Sequence, residues 1–302
     1  MSVSFARPKL TLSLPFAPVS EPISIVDELR NSFRILNDKM FEQINKPELK
    51  IAMTNISESC LRNFGQSYSC NNNVPVQLKL YSRAVSNNFF IGEDHYTSKI
   101  SSVHVYSCDE FVYKRTSFFV NDTNCFFKLV LEICLQNYAH SLNCGMKIPQ
   151  IYDCILFQTG DYLSLEIKME KIQIIGSEYK HTISQNYEYF TQVIKSGLQC
   201  FEQNGLYHND THSENIGFYI DNGSIKVVLM DFGKATLTNL NRYQSPSGFY
   251  EQINNKVEFD AWLSHTIHVN SGSRSFYGGR KKRNTKNKQQ KQRKRKTRRQ
   301  RK

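Results

Sequence analysis

The order of patterns along this 302-residue chain predicts an α+β fold in two lobes. Three observations carry that expectation. The runs NNFFIG, KISSVHVYS and EFVYKRT, closing near Arg115, are short, rich in β-branched and aromatic residues, and read as strands. A long helical pattern with two further strands follows. A second helix then leads into a tight hairpin.

Each element has a local cause. Residues 1–23 are broken by Pro8, Pro15, Pro18 and Pro22, which predicts an irregular arm and no continuous apolar core of a signal peptide. Ser24-x-x-Asp27 opens a capping box. Ile25, Leu29, Phe33, Leu36, Met40 and Ile44 then recur at helical spacing, so an amphipathic helix is expected, ending before Pro47 and packing on the body. A polar stretch around Cys70-Asn71-Asn72-Asn73 separates it from the strands. Asn121, Asp122 or Thr123 caps the next helix, whose apolar side is Phe126, Phe127, Val130, Leu131, Cys134 and Leu135. The strands IYDCILFQ and YLSLEIKME turn at Gly160-Asp161. From Tyr187 a helix carries Phe190, Val193, Ile194, Leu198 and Phe201 and stops at Gly205. Asp221-Asn222-Gly223-Ser224 joins NIGFYI to IKVVLM as a hairpin, and a last helix is expected around Glu258–His268.

The net charge of +12 divides unevenly. Residues 280–302 hold 15 Lys/Arg and no acid, which leaves 24 basic and 27 acidic residues in 1–279. A basic globular body is excluded; a near-neutral body carries a cationic tail. That tail has no apolar residue and cannot build a core, so it is expected to be disordered and to bind nucleic acid or another polyanion without reading sequence, or to serve as a targeting signal. No apolar run approaches the ~20 residues that span a bilayer, so no membrane partner is expected. The eight cysteines show no C-x-x-C and no metal-like spacing, and read as reduced, buried thiols of an intracellular protein.

The chemistry concentrates in Tyr207–Gly233. Asp210 follows a helix stop, Asn215 lies five residues on, and Asp231 ends a buried apolar strand after the hairpin. Two carboxylates and an amide oxygen are hard donors suited to Mg²⁺. Treating His208, Asp210 and His212 as ligands of a hydrolytic metal, with His265 and His268 in reserve, is a weaker alternative that leaves Asp231-Phe232-Gly233 without a role.

His208-Asn209-Asp210-Thr-His-Ser-Glu-Asn215 resembles the H-R-D-x-x-x-x-N loop of the protein-kinase superfamily, and Asp231-Phe232-Gly233 resembles its D-F-G. The resemblance extends upstream to Lys114 in Val112-Tyr113-Lys114, Glu132 in the long helix, and Met169-Glu170-Lys171 after the later strand. It covers roughly Phe89 to Leu263 and is similar to kinase-like proteins of large DNA viruses. It implies a helical extension (1–80), a β-rich N-lobe (81–171), a shortened, mainly helical C-lobe (172–270) and a basic tail (271–302). It also implies an ATP- and Mg²⁺-dependent Ser/Thr protein kinase acting on a protein substrate in the cytoplasm, the nucleus or a virion. By resemblance Asp210 is the catalytic base, Asn215 and Asp231 hold the metal, and Lys114 steadies phosphates through its pair with Glu132. Gly92 belongs to the phosphate loop, and Met169, Glu170 and Lys171 hold adenine.

The departures define two alternatives. Of the G-x-G-x-x-G loop only Gly92 remains, with Asp94 and Thr97 near the other glycine positions, which is compatible with a pseudokinase or binding module. His212 stands where Ser/Thr kinases have lysine and resembles aminoglycoside and choline kinases, hence small-molecule substrates. No A-P-E follows; Phe249-Tyr250-Glu251 is a weak counterpart, and Asp260-Ala261-Trp262 resembles the helix that anchors the catalytic loop. Thr236, Thr238, Ser245 and Ser247 fall where an activation segment would run.

Overall fold

The computed structural model describes residues 24–68, 76–81, 85–91, 94–237, 249 and 253–270. The expectations for the arm 1–23, Gly92, Thr238, Ser245, Ser247, Tyr250, Glu251 and the basic tail 280–302 lie outside these residues. The architecture is α+β, with two compact units. Described residues within Met1–Asp109, Tyr113–Cys134 and Asp153–Lys168 form the first; those within Glu110–Val112, Leu135–Tyr152 and Met169–Lys302 form the second.

The first unit begins with helix α1 (Ile25–Gln43), capped as expected by Ser24, whose hydroxyl accepts from the Asp27 N–H. Leu29, Phe33, Leu36 and Met40 are its buried face. Helix α1 ends before Pro47 as expected, but a helix the sequence reading did not foresee, α2 (Pro47–Arg62), begins there: Pro47 sits at N1, where its missing N–H costs nothing and its fixed φ suits the first turn. Leu49, Met53, Cys60 and Leu61 are buried along it. Arg30–Glu58 (3.0 Å), Lys50–Asp38 (2.7 Å) and Asn37 Nδ2 to Thr54 Oγ1 (3.1 Å) join α1 to α2.

The sheet takes the order β1 (Val76–Tyr81), β3 (Asp94–Cys108), β4 (Phe111–Phe119), β6 (Tyr162–Glu170), β5 (Ile151–Thr159), with β2 (Val85–Ile91) also on β3. The long β3 pairs antiparallel with β2 through Asp94–Ile100 and with β1 through Val103–Ser107. Helix α3 (Thr123–Leu142) is capped by Asp122: one carboxylate oxygen takes the Cys125 N–H (3.0 Å) and the other the Lys99 N–H (2.6 Å), tying the helix start to β3. Phe126 and Phe127, both fully buried, meet the Phe33 ring at 6.1 and 5.6 Å.

In the second unit, helix α4 (Lys180–Gln185) leads into α5 (Tyr187–Gln203), which buries Phe190, Ile194, Leu198 and Phe201. Gly205 (φ +72°) closes α5 as the Schellman residue, with Gly205 N–H on Glu202 O and Leu206 N–H on Phe201 O, both 2.9 Å. Gly197 allows close approach: a Cβ there would lie 2.6 Å from Met146 Cε and 3.0 Å from the Cys144 carbonyl. Cys144 is bonded to Cys200 across a Cα–Cα distance of 5.6 Å, which corrects the expectation of eight reduced thiols. Residues 56 apart carry no pairing signal in their spacing. The hairpin β7 (Ile216–Asp221)/β8 (Ser224–Leu229) turns as expected on Asn222 and Gly223, both at positive φ. Helix α6 (Lys256–Asn270) buries Phe259, Trp262, Leu263 and Ile267.

Because Phe33 is 4% exposed and wedged on two phenylalanines, Phe33→Ala should cost about 3–5 kcal/mol in denaturant unfolding. A loss under about 0.5 kcal/mol would show that α1 does not pack on α3.

Candidate active site

The candidate residues fall into two groups, one in each unit. In the first, Lys114 on β4 and Glu132 on α3 form the expected ion pair, Nζ to Oε1 2.6 Å, with side chains 15% and 8% exposed. A pair this shielded is screened little by solvent. One turn before Glu132 lies Lys128, which sequence reasoning passed over. Burial pushes its pKa down, Glu132 opposes that shift, and Lys114 adds to it. Glu132 thus sits in the field of two lysines. Asp94, near the missing phosphate-loop glycines, is paired with Lys39 of α1, which offsets part of its repulsion toward anions.

The second group is built on the loop after α5. Tyr207 and Thr236 exchange backbone hydrogen bonds (both 2.9 Å), which pins the loop's start against the segment after Asp231. Asn209 adopts φ +59°, a conformation asparagine tolerates, and its amide nitrogen reaches Thr236 Oγ1 (2.9 Å) and the Lys234 carbonyl (3.3 Å). The loop is thereby tied, just ahead of Asp210, to the segment that follows D-F-G.

Asp210 is buried and accepts from several groups. Asn215 Nδ2 donates to its backbone carbonyl (2.9 Å) and to Oδ2 (3.2 Å). Those acceptors fix the amide's orientation and turn Asn215 Oδ1 to the opposite side. Lys234 Nζ lies 2.8 Å from Oδ1, and His212 Nε2 is 3.4 Å from Oδ2. Burial drives the Asp210 carboxyl up, but the bonds and charges of His212 and Lys234 outweigh it and hold its pKa below the ordinary aspartate value. The Asp210 bond raises the His212 pKa against the effect of burial. The Glu214 N–H donates to His212 Nδ1 (3.1 Å), which places the neutral ring's proton on Nε2, facing Asp210.

Asp231 is exposed at φ +61°, an unusual conformation for an aspartate, and its carboxylate accepts from the Gly233 N–H (3.3 Å). Phe232 is fully buried with its ring edge-on to His208 at 4.7 Å. His208 Nε2 donates to the Met230 carbonyl (3.1 Å), and its Nδ1 is buried without a hydrogen-bond partner. A second proton would be uncompensated there, and burial lowers the His208 pKa to about 4. His208 is therefore a neutral brace between the loop and the strand end, and its Nε2 is not open to a metal. Among the described residues no three His, Cys, Asp or Glu side chains converge as a metal cluster, which removes the His208/Asp210/His212 alternative.

Met169 and Glu170 end β6, and Lys171 follows it. The Glu170 N–H donates to the Gln150 carbonyl (2.8 Å), and its carboxylate pairs with Lys147 (2.8 Å). Helix α6 supports the loop differently from expectation. Asp260 pairs with Lys256 (3.0 Å), and it is His265 Nδ1 that meets Ser213 Oγ (2.6 Å). Trp262 packs against Phe218 and Phe249, and the Phe249 N–H donates to Thr211 Oγ1 (3.0 Å). Sequence reasoning missed Lys234, whose one available signal was its place directly after D-F-G, and named His265 only as a reserve metal ligand, not as the partner of Ser213. No protein-family model and no curated protein matches the chain. No helix among the described residues is long and apolar enough to cross a membrane.

The neutral His208 sets a pH dependence. A histidine whose folded pKa lies below its unfolded value costs stability as pH falls, because only the unfolded chain takes up the proton between about 6.5 and about 4. That window is worth about 3 kcal/mol in total. Asp210, with a lowered pKa, loses its contribution only at still lower pH, and His212, with a raised one, loses its own as pH rises above the ordinary histidine value. His208→Gln should therefore flatten the fall in unfolding free energy between pH 6.5 and 4. A variant with an unchanged slope would contradict the assignment.

Proposed function

We propose that this chain is an ATP- and Mg²⁺-dependent phosphotransferase of kinase-like fold, a divergent Ser/Thr protein kinase with Asp210 as catalytic base. The observation that carries the reading is the set of bonds around Asp210. Asn215 donates to the Asp210 backbone, while Lys234 and His212 keep the carboxylate ionised. This separates two tasks within six residues: Asp210 meets the acceptor hydroxyl, and Asn215, its amide nitrogen engaged by Asp210, offers its amide oxygen.

Asn215 Oδ1 and the exposed Asp231 carboxylate fit a hard cation such as Mg²⁺, which keeps several waters and takes few protein ligands. When bound, that ion would neutralise charge building on the transferring phosphate oxygens. Lys114, fixed by Glu132, offers a cation to the phosphates, and Met169, Glu170 and Lys171 are the proposed adenine-side residues. Asp210, with its lowered pKa, is a weak base. Its main contribution is to accept the hydroxyl's hydrogen bond and align the oxygen, taking the proton as negative charge leaves that oxygen. Lys234 and His212 stand beside the same carboxylate and can favour an anionic group there.

His212, hydrogen-bonded to Asp210 where Ser/Thr kinases carry lysine, supports a second reading as a small-molecule kinase. The basic tail is proposed to direct the chain to nucleic acid or another polyanion and has no part in the transfer step.

The test is transfer of label from γ-labelled ATP to basic and acidic model proteins and to a metabolite panel, with Mg²⁺ or Mn²⁺. The wild type should label a protein, and Asp210→Asn should lower the rate by at least about a hundredfold. Labelling of metabolites alone would move the assignment to the second reading. A wild type that transfers nothing under any metal condition would overturn both.

A further inference from the structure

We infer that Cys60 and Cys154 form a disulfide that ties α2 to β5 in the first unit. The two sulfurs are 2.7 Å apart, closer than unbonded sulfur atoms rest, so only a small movement separates them from a bond. Both residues are buried: Cys60 points from the last turn of α2 and Cys154 from the middle of β5. The flanking backbone already holds the two segments together, since the Gly65 N–H donates to the Leu156 carbonyl at 2.9 Å. Oxidised thiols belong to this chain elsewhere: Cys144 is bonded to Cys200, and Cys108 is disulfide-bonded as well.

The chemistry is thiol–disulfide exchange with an external disulfide, either oxidised glutathione or a disulfide-donating oxidoreductase. One thiolate attacks the donor, forming a mixed disulfide and releasing the donor's first thiolate. The second cysteine, deprotonated, displaces the donor's other sulfur. The pair loses two protons and two electrons, and the donor is reduced to two thiols. In the closed fold Cys60 is a poor nucleophile, because its hydrogen bond with Cys154 and its burial hold the thiol well above the ordinary cysteine pKa. The exchange therefore belongs to the stage before α2 closes onto β5, and once formed the bond is shielded from reductant. Its consequence is a covalent brace for the α1–α2 pair. Through Phe33 that pair backs α3, the helix that carries Glu132.

The test uses the full chain refolded across a series of glutathione redox ratios, then acid-quenched, alkylated in denaturant without reductant, digested and weighed. A peptide linking Cys60 to Cys154 is expected, with Cys125 and Cys134 alkylated. Alkylation of both Cys60 and Cys154 at every ratio, or their linkage to other cysteines, would overturn the inference. A second readout is hydrogen exchange. Reductant should speed exchange several-fold in α2 of the oxidised wild type, and leave α2 of Cys60→Ala/Cys154→Ala unaffected. Equal acceleration in both proteins would show that the effect comes from another bond.

Discussion

The site depends on keeping one largely buried carboxylate, Asp210, charged. Burial alone would favour its neutral form, and the loop counters that with a lysine at 2.8 Å, an imidazole at 3.4 Å and an amide that donates to it and to its own backbone. None of these groups lies next to Asp210 in sequence. They converge because the D-F-G strand end and the segment after it are pinned to the loop around Asp210 by Tyr207–Thr236, by the Asn209 amide and by the His208–Met230 bond. The neutral His208 follows from the same constraint. A second buried positive charge, with no partner at Nδ1, would cost more than the aspartates could return, so that ring acts as a donor and a packing surface.

The supporting layers meet the loop from below. Phe232 fills the space under His208, while α6 supplies Trp262 beneath Phe218 and Phe249 and sends His265 to Ser213. Asn209 and Asp231, both at positive φ, lie on this path beside the carboxylate, and Asp231 is in an unusual conformation for an aspartate. Strain held by so many surrounding bonds is the pattern of a site whose geometry matters more than its local stability. The Lys114–Glu132 pair is likewise built on a shielded surface between β4 and α3, with Lys128 adding positive potential on the helix side.

Much of this was legible because the signals were local. Ser24 capped a helix with a regular apolar period, Gly205 ended another, and Asn222-Gly223 required a hairpin whatever surrounded it. Asp210, Asn215, Asp231, Lys114 and Glu132 were singled out by their resemblance to kinase motifs, and the Lys114–Glu132 pair and the Asn215–Asp210 bonds are present in the fold. What escaped was set by context. Pro47 is compatible with both a stop and a first helical turn, and only the Leu49, Met53, Cys60 face, buried against neighbours, decides between them. Asp260 carried the motif position but turned to Lys256, and His265 took the contact with the loop. Lys234 has no spacing rule relating it to Asp210, and the Cys144–Cys200 bond depends on Gly197 letting α5 approach Met146. Contacts of that kind are made by packing and leave no period to read.

The central claim is that Asn215 and Asp231 hold a Mg²⁺–nucleotide beside an ionised Asp210. Calorimetric titration of the full chain with ATP, with and without Mg²⁺, tests it most directly. The account predicts saturable binding that requires Mg²⁺, raises the melting temperature by mass action, and weakens by about tenfold or more in Asp231→Asn. No binding at millimolar Mg²⁺–ATP, or the same affinity in Asp231→Asn as in the wild type, would contradict it.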